Sequence, residues 1–154
     1  MAWVELESAL GTRLPSDYKE ILETYPRLVV DDFIRLLDPD SKSWSLRPVE
    51  ANQSNSAWLA DMRSDEDFAD EFPYPAFPDR NGVLLWGNTT NGDYCYWLAV
   101  GDPESWTVVV SRHKGSTWTR HPCGVAEFLS TLGDSSPWPD WPEGPVSASY
   151  GRVQ

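Results

Sequence analysis

Apolar positions at the start of the chain recur at helical spacing. Trp3, Leu6 and Leu10 form one stripe, which predicts a short helix that Gly11 ends. Pro15 and Ser16 open a second helix on which Tyr18, Ile21, Leu22 and Tyr25 share a face, and Pro26 stops it. Two short apolar runs follow, Leu28 to Val30 and Phe33 to Leu37. They are split by Asp31-Asp32 and closed by Asp38-Pro39, and they read as strands. Pro48 begins a third helical pattern whose face carries Ala51, Asn55, Trp58, Leu59 and Met62. Ser64 then reads as the cap of a further brief helix, with Asp65, Glu66 and Asp67 in its first turn, where negative charge meets the positive end of the helix dipole. The stretch Phe72 to Pro78 alternates aromatic residues with Pro and predicts a packed loop.

The period then changes. Val83 to Trp86, Tyr94 to Leu98, Trp106 to Val110 and Thr117 to Arg120 are strand-like, and Asn91-Gly92, Asp102-Pro103 and Lys114-Gly115-Ser116 supply turns between them. This is the pattern of an antiparallel meander. A last helix over Val125 to Leu132 presents Val125, Phe128, Leu129 and Leu132 and ends at Gly133. The remaining residues are rich in Pro and Gly, with Trp138 and Trp141 as the anchors of an irregular tail. The expected organisation is one domain over residues 1–132 and a tail over 133–154, in the α+β class, with a single antiparallel sheet flanked by helices.

Composition narrows the function. Twenty-four acidic against twelve basic residues give a net charge of −12, which disfavours direct contact with nucleic acid or an anionic membrane surface and favours a basic partner. No window resembles a membrane span or a signal peptide, and two cysteines are too few for a disulfide framework, so a cytoplasmic protein with free thiols is expected. The bases available to a hydrolase are His113 and His121, both in or beside a hairpin that also holds Arg112, Lys114 and Arg120. Cys95, His113, His121 and Cys123 include zinc-ligand types, but one residue between His121 and Cys123 is poor ligand spacing. Phosphate-binding and calcium-binding loop patterns are absent. No catalysis, metal or cofactor is expected.

The strongest candidate for a binding surface is the acidic segment, where Asp61, Asp65, Glu66, Asp67, Asp70 and Glu71 stand against Arg63 alone. It has two readings: a solvated helix end, or a surface for a basic partner. Three of the six acids serve the predicted helix start, and Asp61, Asp70 and Glu71 do not. The aromatic residues offer a rival, a carbohydrate-binding domain that stacks sugars on Trp138 and Trp141.

Several strings, in this order, resemble the SUKH superfamily, the Smi/Knr-like domains that include many bacterial immunity proteins and fungal cell-wall regulators. They are Leu10-Gly11-Thr12-Arg13-Leu14-Pro15-Ser16-Asp17-Tyr18, then Leu85-Trp86-Gly87, Gly92 to Leu98, Trp106 to Val110, and Glu127-Phe128-Leu129. The long acidic segment and the tail depart from the family pattern. The resemblance implies an α+β domain without catalysis and, in bacteria, neutralisation of a cognate protein toxin by direct binding. Such toxins are often nucleases with basic surfaces, which an acidic inhibitor complements. A regulatory or scaffold module of the same fold is the alternative. Leu14, Tyr18, Leu22, Trp86, Trp97, Phe128 and Leu129 are then expected in the core.

Overall fold

Gly11 ends the first helix by taking the left-handed conformation, φ +81°, that its missing side chain permits. Helix α1 spans Trp3–Leu10 and α2 spans Ser16–Thr24, in the places the apolar stripes predict. The structure is a computed structural model that describes residues 2–112, 115, 117–132 and 148–149. After the short strands β1 (Val29–Val30) and β2 (Ile34–Leu36) come a 3-10 turn at Trp44–Leu46 and the long helix α3, Pro48–Ser64. Strands β3 (Val83–Thr89), β4 (Tyr94–Leu98), β5 (Thr107–Arg112) and β6 (Thr117–His121) make the meander, and α4 covers Val125–Ser130. A two-residue strand β7, Ala148–Ser149, lies within the segment expected to be irregular and pairs with β1. All neighbours are antiparallel, and the sheet order is β6-β5-β4-β3-β2-β1-β7. Trp138 and Trp141 lie outside the described residues.

Because side chains alternate along a strand, the sheet builds two cores. On one face Leu84, Trp86, Cys95, Trp97, Val108 and Val110 pack with Tyr18 and Leu22 of α2 and with Val125 and Phe128 of α4. On the other, Val83, Leu85, Tyr96, Leu98 and Val109 pack with Ala51 and Leu59 of α3 and with Phe72. Six of the seven expected core residues are buried, and Leu129 is partly buried at the edge of the first cluster.

Two side chains lock helices to this frame. Asn52 of α3 accepts from Leu85 N at 2.8 Å and donates to the Leu85 carbonyl at 3.1 Å, beside a bulge between Leu85 and Gly87. Strand β2 pairs with β3 only at Gly87, Asn88 and Thr89, and Asn52 satisfies the Leu85 groups in its place. Asp17 bridges two helices: one carboxylate oxygen accepts from Tyr18 N at 2.8 Å and the other from Ala126 N at 3.0 Å, in the first turn of α4.

Candidate functional site

The sequence predicts a helix restart at Ser64, and the structure places a helix end there. Helix α3 continues through Arg63, a cation in its last turn where the dipole favours positive charge, and stops at Ser64, whose hydroxyl donates back to the Asp61 carbonyl at 2.9 Å. Asp65, Glu66 and Asp67 therefore occupy a tight turn instead of a helix start. The Asp65 carboxylate closes this turn by accepting from Asp67 N at 2.9 Å. Asp70 and Glu71 follow in a 3-10 turn, Ala69–Glu71. The helix-dipole account of three of the acids accordingly fails, because the apolar face of α3 carries the helix past the position where a cap could act.

All six acids are exposed, and none joins an ion pair among the described residues. Arg63, the cation within the segment, donates through Nη1 to the Phe72 carbonyl at 2.5 Å. The acids thus form one corner of the molecule with Phe68, 42% exposed, among them. Phe72 fastens this corner to the body: it is buried, and its ring sits 5.2 Å from Trp58 and 5.9 Å from Trp118. Trp118 in turn stacks on Tyr96 at 5.8 Å and 16° and lies 5.7 Å from Tyr74. The acidic turn is consequently held on an aromatic floor, and its carboxylates present charge without a cationic partner among the described residues.

On the basic hairpin, Arg112 and Arg120 fall on β5 and β6, whereas His113 and Lys114 lie outside the described residues. His121 is half-buried with its ring 5.0 Å from Phe128, and burial lowers its pKa. Cys95 is fully buried, and burial pushes its thiol far above the ordinary range, with Asp93 adding to the shift. Such a thiol is held protonated and inert.

Sequence reasoning did not single out Arg35, Trp44, Asn55, Trp58 and Tyr94 as a group, yet they line one cleft beside α3. The available signal was the alternation Ile34-Arg35-Leu36, which sends a cation to the face opposite two core residues.

Residues 2–129, from the start of α1 into α4, match the family model SUKH_6, described as SMI1-KNR4 cell-wall. The chain belongs to this SUKH family. No curated protein and no solved structure matches it. The strings that carry the SUKH resemblance now have physical roles. Leu14 and Tyr18 are buried, Asp17 links α2 to α4, and Trp86 and Trp97 fill the core under both helices. In this SUKH domain the shared strings build the fold, and the acidic corner lies between them in sequence, within the matched residues. No helix among the described residues is long and apolar enough to cross a membrane.

Proposed function

We propose that this SUKH domain is a cytoplasmic immunity protein that binds a cognate protein toxin, of basic nuclease type, and neutralises it without catalysis. Its binding unit spans residues 1–132, with 133–154 as an appendage. The observation that carries the reading is the acidic corner: six exposed carboxylates, none in an ion pair among the described residues, around an exposed Phe68, fixed to the core through Phe72. Charge of this kind steers a basic partner into contact, and a central aromatic group gives the contact its grip. The family's bacterial immunity proteins support the same reading.

The test uses the protein encoded by the adjacent gene, because an immunity protein is made beside its toxin. Coexpression should restore growth, and stopped-flow association should slow by roughly tenfold or more as salt rises from about 20 mM to about 300 mM. Neutralising Asp61, Asp70 and Glu71 together should lower the on-rate more than it raises the off-rate. The control triple is Glu5, Glu20 and Asp40, which are exposed and lend no side-chain hydrogen bond to the fold among the described residues. Equal weakening by both triples would reduce the effect to net charge, and no effect from either would move the contact away from this corner. An adjacent gene product that is neither toxic nor bound would favour the regulatory module instead.

A further inference from the structure

Helix α3 does not cover the whole of its sheet face. Near Thr89, Gly92 and Tyr94, the helix and the Trp44–Leu46 turn leave an open cleft of about 260 Å³. Arg35 reaches this cleft because Ile34 and Leu36, on either side of it, are committed to the opposite core. Its guanidinium donates from Nε to Asn88 Oδ1 at 3.0 Å and from Nη2 to the Thr89 carbonyl at 3.4 Å. Both acceptors are neutral, and no carboxylate among the described residues pairs with Arg35. Burial lowers its pKa. A half-buried charge without a counter-ion is costly, and three of the five guanidinium N–H groups remain for a ligand.

The rest of the cleft fits the same chemistry. Asn55 is only 7% exposed, lines the cleft and neighbours the Tyr96 side chain. Trp58 and Tyr94 form one wall, with ring centres 5.3 Å apart. Trp44 stands at the rim, 58% exposed, with no ring contact or side-chain hydrogen bond among the described residues.

We propose that this cleft binds a carboxylate carried on a flat apolar group, with the carboxylate on Arg35 and Asn55 and the flat group against Trp44 and Trp58. The planar guanidinium fork matches a carboxylate in two-point contact. The net charge of −12 weighs against a dianionic phosphate, since each added negative charge raises the repulsion. The size, just under the roughly 300 Å³ at which ordinary ligand pockets begin, admits one residue-sized group. A free aromatic acid and the C-terminal residue of a polypeptide share this chemistry. The site does not depend on the toxin reading, because none of the six corner acids lines it.

The test is a titration of the isotopically labelled full chain, read at the Arg35 Nε–H and at the Trp44 and Trp58 indole N–H resonances. The probes are N-acetylphenylalanine, its uncharged amide, phenyl phosphate, and a neutral tetrapeptide ending in a phenylalanine carboxylate. The acid should give saturable shifts at all three groups, the amide none, and phenyl phosphate weaker ones. Arg35→Gln should weaken acid binding by about tenfold or more, as expected for lost charge-assisted bonds. Trp44→Ala, at an exposed position, should weaken it by about fivefold with thermal unfolding unchanged. A tetrapeptide bound more tightly than the single residue identifies a polypeptide terminus, and equal binding identifies a small acid; either supports the site. Absence of saturable shifts, equal response to acid and amide, tighter binding of phenyl phosphate, or an undiminished response in both variants would overturn it.

Discussion

Asp17 and Gly124 offer a test of how α2 and α4 are joined. Gly124 has an ordinary backbone, φ −81°, so its lack of a side chain is not required by conformation. A Cβ built there would lie 2.7 Å from Asp17 Oδ2, the oxygen that accepts from Ala126 N. Gly124→Ala should therefore push the carboxylate off α4 and cost about 1 to 2 kcal/mol, the usual loss for a helix N-terminal acceptor. Asp17→Ala removes the same bond together with that to Tyr18 N, and should cost about the same or slightly more, because Ala126 N can turn to water. With the carboxylate gone, however, the methyl group at 124 meets nothing within 3.4 Å in the wild-type surroundings. In the Asp17→Ala background, Gly124→Ala should then be neutral, or should stabilise by about 0.4 to 1 kcal/mol through the unfolded chain. Urea unfolding of the four proteins gives the coupling directly, provided the m-value is constant. A coupling of about 1 kcal/mol or more supports the geometry. Strict additivity within about 0.3 kcal/mol would show that Gly124 is small for another reason and that the Asp17 link carries no stability.

Trp97, buried between Tyr18 at 5.0 Å and Trp106 at 5.8 Å, should cost roughly 3 to 5 kcal/mol when truncated to Ala. Retained stability with lost partner binding, measured by denaturation and by pull-down, would make it a contact residue instead. His121 is held neutral by burial, so below about pH 6.5 the unfolded chain binds a proton that the folded chain resists. Stability should fall as the pH drops from about 7 to 5.5, and His121→Gln should flatten that slope; an unchanged slope in chemical denaturation series would rule out this residue as its source.

Local rules made most of this fold legible. Gly11 and Pro15 bracket the first two helices, and the turn residues at 91–92 and 102–103 divide the meander where it is divided in space. The errors come from distant partners. Strand β3 runs on to Thr89 because β2 pairs with Gly87, Asn88 and Thr89, a ladder that the local composition of those residues does not announce. Ser64 has the look of a cap, yet α3 packs on the sheet up to its last turns, and tertiary contact overrides the local signal. The acidic corner was visible as composition, whereas its aromatic floor needed Phe72 and Trp118 to be brought together from different elements. The Arg35 cleft was legible only as an alternation, since the position of α3 decides which part of the sheet face stays open.

The order of the strands also bears on how the chain reaches its native state. From β3 to β6 each strand pairs with its sequence neighbour, so that block closes through short turns at small entropic cost. Strand β2 joins it only across the long connection that contains α3, and β7 reaches β1 from the far end of the sequence. The acidic turn sits inside that long connection and is attached through Phe72 to a ring carried by β6. Its anchoring thus combines a nearby contact, Trp58 of α3, with one that only the assembled meander supplies. The turn proposed to meet the partner therefore depends for its placement on a strand that lies about fifty residues further along the sequence.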